Sequence, residues 1–155
     1  MLLGFDLRTK AGPRAFLQFS FADQTGRKPV VRPFEESDPD VAQACNERPF
    51  TIGSAKATLR AGRQELAFGN HLVGLRDGVT LRRAFDGVML DVQSGGHHVI
   101  AFHAKPIANR PGAFDDGGTD GERFSGMSWT LPGTPAERIW TLYAFDRKRE
   151  LARYS

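Results

Sequence analysis

Between residues 62 and 91 the chain alternates like a strand while carrying an unusual density of fixed positive charge. Gly62-Arg63-Gln64-Glu65 is followed by Arg76-Asp77-Gly78 and then by Arg82-Arg83-Ala84-Phe85-Asp86-Gly87-Val88-Met89-Leu90-Asp91. With Lys56 and Arg60 just upstream, Lys56, Arg60, Arg63, Arg76, Arg82 and Arg83 are opposed only by Glu65 and Asp77, a local charge of +4 against +3 for the whole chain. A strand tolerates so many guanidinium groups only where one of its faces is wet, and its other face then needs apolar surroundings. A sheet that is polar within and apolar without is the pattern of a membrane-spanning β-barrel.

Composition neither forces nor forbids that reading. A barrel needs apolar residues only at alternate strand positions, so 40% hydrophobic and 25% charged residues suit it as well as they suit a soluble domain. At 155 residues the chain is expected to form a single unit, 1–155. No run approaches the roughly 18 apolar residues of a spanning helix, so any membrane crossing falls to strands. Cys45 is the sole cysteine, which excludes an intramolecular disulfide and a thiolate cluster. Residues 1–20 lack a basic leading region and a small-residue cleavage site, and Asp6 breaks their apolar run, so they do not read as a signal peptide.

Gly and Pro are spread along the chain rather than gathered in one linker, which predicts many short strands and turns. The expected strands are 2–8, 14–21, a weak one near 41–47, 55–65, 82–93, 97–105 ended by Pro106, 122–131 ended by Pro132-Gly133, and 138–146. Asp38 to Glu47 also offers a short helix with an acidic N-cap. Alternation puts Ala57, Leu59 and Ala61 on one face with Thr58, Arg60, Gly62 and Gln64 on the other. It sends Val88, Leu90 and Val92 outward and Gly87, Met89, Asp91 and Gln93 inward, and it points Arg63 away from Arg60. Residues 22–40, 69–80 and 107–121 read as loops, the acidic stretch Glu35–Asp40 as solvated and Arg147-Lys148-Arg149 as a basic strand exit. Trp129, Trp140, Tyr143, Phe124 and Phe145 near strand ends suit an interfacial girdle, although the same rings could fill a soluble core. The periodicity fits a soluble sandwich or closed barrel as well as a tilted membrane barrel.

Chemistry-bearing patterns are sparse. On an extended strand His97 and His103 lie about 20 Å apart and His98 faces away from both, so the three cannot share a metal. Counted as a calcium loop from Asp116, the Asp/Gly run 115–122 places Gly118 and Met127 where ligands are required. No nucleophile elbow, phosphate loop or dinucleotide fingerprint occurs, and no cofactor or catalytic residue is expected. The sequence pI of 9.3 would permit nucleic acid, but no nucleic-acid-binding motif is visible and none is expected as a partner. For the arginine cluster two readings stand: pairing with Glu65, Asp77, Asp86 and Asp91 to hold strands and loops, or a positive wall that selects anions by sign.

The segment LRAGRQELAFGNHLVGLRDGVTLRRAFDGVMLDV (59–92) resembles the signature region of the alginate-export family of bacterial outer-membrane β-barrels. FEESDPDVAQA (34–44), KPIANRPGAFDD (105–116) and LYAFDRKRELARY (142–154) resemble further parts of that family in the same order. The resemblance implies an all-β antiparallel meander of about eight strands, forming part or a small version of a transmembrane barrel. It implies a porin-like channel in the bacterial outer membrane, with lipid outside and an anionic uronate polysaccharide inside, and no catalysis. It makes Arg63, Arg82 and Arg83 the foremost candidates for the polymer's path, with Arg76, Glu65 and Asp86 second. The family barrel is longer than 155 residues, so an incomplete, truncated segment is expected. The alternative is a small soluble or closed barrel that binds an anionic ligand without transport.

Overall fold

In a computed structural model the chain is a single antiparallel sheet. The structure describes residues 2–22, 37–67, 83–108, 110, 112–134 and 138–149. Among them run nine strands: β1 (Leu2–Arg8), β2 (Arg14–Ala22), β3 (Ser37–Ile52), β4 (Ala55–Gln64), β5 (Phe85–Ser94), β6 (His97–Ala108), β7 (Gly117–Gly118), β8 (Glu122–Thr134) and β9 (Arg138–Arg149). Each pairs with its sequence neighbour in the order β1-β2-β3-β4-β5-β6-β8-β9, while the two-residue β7 pairs with the end of β6. The sheet is an open meander: β1 and β9 are its two edges. No helix of the described residues is long and apolar enough to cross a membrane. A ten-residue strand such as β4, however, spans about 25 Å of bilayer when tilted by roughly 45°.

Regular pairing fixes which side chains share a face, because register and alternation together leave no freedom. Lys56, Thr58, Arg60 and Gly62 of β4 stand opposite Gln93, Asp91, Met89 and Gly87 of β5. These in turn stand opposite His98, Ile100, Phe102 and Ala104 of β6. The other face carries Leu3, Phe5 and Leu7 of β1, Ala15 and Leu17 of β2, and Phe50 and Ile52 of β3. It continues through Leu59, Val88, Leu90, Val92, Val99, Ala101, Met127, Trp129 and Leu142. This apolar face is largely open: Val88 is 47% exposed, Phe5 57% and Trp140 59%. No second layer of described residues covers it, as a soluble sandwich would require. A continuous apolar surface of this size calls for a non-aqueous neighbour.

The chain's main apolar cluster lies on the polar face, near the ends of the strands that carry the long connections. Leu66, Phe85, Phe102 and Ala104 are buried there, with Met89, Ile100 and Phe124 packed against them. Phe102 and Phe124 lie 5.0 Å apart between ring centroids, and Phe124 stacks on Phe145 at 5.8 Å. Phe124 thus packs against this cluster, while Phe145, Tyr143 and Trp129 are each 37% exposed and Trp140 is 59% exposed.

Several expectations give way to pairing. The stretch 38–47 is neither a helix nor a weak strand but part of the 16-residue β3, whose prolines sit within it. Pro49 stands opposite Thr58, and Pro39 supplies its carbonyl to the amide of Phe114 at 3.1 Å. Pro106 does not end β6: its carbonyl accepts from Thr119 and the next amide, Ile107, donates to Ala84, so pairing continues past the ring. β8 likewise runs through Pro132-Gly133, with a register irregularity between Leu131 and Thr134. Arg147, Lys148 and Arg149 are strand residues, paired with Phe124, Arg123 and Glu122. β5 starts at Phe85 rather than residue 82. The expected loop 69–80 and most of 22–40 lie outside the described residues.

Candidate functional site

Two charged constellations arise from the sheet. The first crosses the middle of the polar face over four strands. Alternation brings Asp6 and Arg8 of β1, Arg14 of β2, Glu47 of β3 and Arg60 of β4 to the same side, and antiparallel register lines them up: Arg8 with Arg14, Arg14 with Glu47, Glu47 with Arg60. Arg14 donates to Asp6 through Nε at 2.8 Å and Nη2 at 3.0 Å, a two-pronged pair. It also donates through Nη1 to Glu47 Oε1 at 3.1 Å. Arg8 reaches Asp6 at 3.2 Å, and Arg60 pairs with Glu47. The result is an alternating ladder of three cations and two anions, flanked by Lys56 and by the Gln18–Gln43 and His98–Asp91 contacts at 3.1 and 3.0 Å. The Arg14 Cζ lies over the Phe16 ring, 5.0 Å from its centroid, a cation–π contact. The Arg60 Nε is buried without a hydrogen-bond partner among the described residues.

The second constellation is a knot at the end of the strands that carry the long connections. Gly62-Arg63-Gln64 of β4 stands opposite Gly87-Asp86-Phe85 of β5. Both glycines are needed for the fit. Gly62 has a φ of +120°, and a Cβ there would run into the carbonyl oxygen of Ala44; a Cβ at Gly87 would collide with the carbonyl oxygen of His103. Gln64 is wholly buried, and its Nε2 donates to the Gly87 carbonyl at 3.2 Å. Arg63 uses its whole guanidinium: Nε to Asp86 at 3.1 Å, Nη1 to the Val41 carbonyl at 3.0 Å and Nη2 to the Asp116 carbonyl at 3.0 Å. Its Nη1 also lies 3.7 Å from Asp40, which accepts from the Asp116 amide at 2.9 Å. Residues 112–118 thereby cross from the end of β6 to the start of β3, where Phe114 meets Phe19 edge-on at 6.3 Å.

Asp40, Asp115 and Asp116 bring carboxylate oxygens within 4.8 Å of one another. Asp40 is 2% exposed, so the acidic stretch read as solvated has its last member buried. Burial, with the Asp40 charge beside it, pushes the Asp116 carboxyl above its ordinary value, although the Arg110 amide that it accepts opposes the shift. The meeting of residues 40 and 115–116 had no local signal, since it depends on the return of a loop across three strands. The histidines stay apart as expected: His98 pairs with Asp91, His97 with Trp129 and His103 with Ser125.

The candidate path residues fall into separate places. Arg63 and Asp86 pair with each other inside the knot, on the face opposite Arg60. Arg83 is exposed just ahead of β5, and Glu65 is half-buried just beyond β4. Arg76 and Arg82 lie outside the described residues. Alternation placed Arg60 with Thr58, Gly62 and Gln64, but the joining of Arg60 and Arg14 through Glu47 and Asp6 links positions 8 to 33 residues apart and no motif announces it. The model of a family described as alginate export matches residues 2–154. No curated protein and no solved structure matches the chain.

Proposed function

Since the chain belongs to the alginate-export family, we propose that its sheet is a wall of an outer-membrane channel, with lipid against the apolar face and an anionic uronate polymer passing the polar one. One observation carries the reading: the same sheet bears an exposed apolar face and, on its reverse, a cross-strand ladder of paired arginines. Such a wall has no chemistry to perform. It has to replace some of the water around a carboxylate-bearing chain without holding that chain too tightly.

The ladder meets that need physically. Asp6 and Glu47 hold the guanidinium groups in fixed positions, and Arg14 lies over the face of the Phe16 ring. Each arginine retains donors beyond those its acid partner occupies. The acids also moderate the field, so that a uronate carboxylate is attracted and still released, which conduction requires. Arg63 and Asp86 act differently in this reading. They clamp the loop across the channel rim, and Arg83, with Arg76 and Arg82 as further candidates from the resemblance, offers positive charge where the polymer arrives.

The test is current through planar bilayers. We expect anion-preferring conductance that uronate oligomers block, and weaker blocking in Arg14→Gln and Arg60→Gln. A chain that folds as a detergent-free, water-soluble monomer would remove the channel and favour a small soluble barrel that binds an anion.

A further inference from the structure

We propose that the apolar face carries, at its loop-bearing end, a binding site for the phosphate groups of anionic outer-leaflet lipid, formed by Lys105, Arg123 and Lys148. The site rests on the reading that this face meets lipid, and adds to it which lipid chemistry the face prefers and where.

Register builds a row of like charges across five strands. Arg63 of β4 stands opposite Asp86 of β5, and Asp86 opposite Lys105 of β6. Ala104 of β6 stands opposite Phe124 of β8, so the next positions in line are Lys105 and Arg123. Arg123 in turn stands opposite Lys148 of β9. Four cations and one acid leave the row at +3, and Asp146, in the next row toward the middle of the sheet, lowers this only to +2. Asp86 is already engaged by Arg63, whose Nε and Nη2 reach its two oxygens at 3.1 and 3.4 Å. Lys105, Arg123 and Lys148 are exposed. No described carboxylate forms an ion pair with Lys105 or Arg123. β6 lies between β5 and β8, and β8 between β6 and β9, so the row does not depend on where the sheet stops. Like charges opposed across neighbouring strands repel and destabilise a sheet, so this row calls for an anion from outside it.

Its position selects the anion. Toward the middle of the same face stand exposed Val88, Met127 and Leu142, which offer nothing to a water-soluble ion. An amphiphile that places phosphate at the row and acyl chains against those residues matches both halves. The Arg123 fork can meet two phosphate oxygens, while Lys105 and Lys148 add mobile point charges on stems that lie along the apolar band. The connections at this end are the long ones, whereas β3–β4 and β5–β6 turn in two residues at the other end. Outer-membrane barrels carry their longer loops outside, which sets the row at the outer leaflet.

The experiment measures lipid retained by the folded chain in neutral maltoside micelles, by native mass spectrometry. Phosphatidic acid and phosphatidylcholine with the same acyl chains are titrated separately, and inorganic phosphate is tested as a competitor. We expect phosphatidic acid to be retained in preference. Lys105→Gln and Arg123→Gln should weaken its binding roughly fivefold for each cation removed. Lys10→Gln, in the turn between β1 and β2, should leave it unchanged. Because the row is repulsive without lipid, the Lys105→Gln/Arg123→Gln variant should be no less stable to urea than the parent in micelles alone, and should lose the stability that phosphatidic acid adds to the parent. Equal retention of the two lipids by the unsubstituted chain would overturn the proposal. So would displacement of phosphatidic acid by an equal concentration of inorganic phosphate, or a double variant destabilised in micelles alone. A chain that inserts into phosphatidylcholine bilayers and conducts, yet shows no preference for phosphatidic acid, removes this site and leaves the channel reading standing. A chain that stays water-soluble removes both.

Discussion

Both charged constellations are built around an arginine of β4, three residues apart, yet they do opposite work. Arg60 lies in the ladder with Glu47, on the polar face of the sheet. Arg63 lies on the other face, and its guanidinium is consumed by Asp86, Asp40 and two backbone carbonyls. A cation that donates from all three of its nitrogens and has an acid 3% exposed beside it is a structural fastening. A cation that shares one carboxylate with a neighbour has capacity left for a ligand. The Gly-Arg-Gln and Phe-Asp-Gly motifs are thus explained as the two halves of a clasp between β4 and β5, with glycines where strands approach closely.

The largest expected effect lies in the clasp. Arg63→Met strips Asp40 of its cation and leaves an enclosed carboxylate unpaired, which costs about 3–5 kcal/mol. Urea unfolding in detergent should show the loss, and a change under 1 kcal/mol would break the distinction drawn between the two arginines. Gln64→Ala removes a fully buried side chain and its bond to Gly87, for about 2 kcal/mol in the same assay.

Arg60→Gln should behave in the reverse manner. Its pair is partly solvated, so stability should change by at most about 1 kcal/mol. The anion preference of the current should fall by about fivefold, the occupancy factor for about 1 kcal/mol of attraction lost at close range in water. If Arg63→Met altered selectivity while Arg60→Gln altered only stability, the assignment of roles would be inverted.

The smallest effect concerns pH. Asp116 titrates above its ordinary value of 3.8, so the folded loop binds this proton more tightly than the unfolded chain does. Its charged form is the penalised one. The penalty is present above the raised value and disappears as pH falls through it toward 3.8. Amide exchange in residues 112–118 should therefore show this group's contribution growing as the solution is acidified over that window. Asp116→Asn should flatten that part of the profile.

How much of this was legible beforehand depended on range. Strands β1, β2 and β4 and the faces of Leu59, Arg60 and Val88 follow from alternation, which every residue reports for itself. The full length of β3 was hidden because Pro39 and Pro49 look like breaks until their neighbours are known to supply the pairing. The continuation of β6 past Pro106 was hidden for the same reason. At the site, motif resemblance directed attention to Arg63 and Asp86, which are conspicuous in sequence because the clasp is local to two strands. The ladder has no such signature. Asp6, Arg14, Glu47 and Arg60 become neighbours only through the register of three successive pairings.

The account rests on a sheet with lipid on one side and water on the other, and adjacent residues of β5 test it most directly. Single cysteines at Val88, Met89, Leu90 and Asp91, in a Cys45→Ser background reconstituted into liposomes, can be probed with a water-soluble maleimide and, through an attached fluorophore, with lipid-borne quenchers. The expected result alternates: positions 89 and 91 react from water, while positions 88 and 90 are shielded from water and quenched by lipid. Equal aqueous labelling at all four positions would contradict the account.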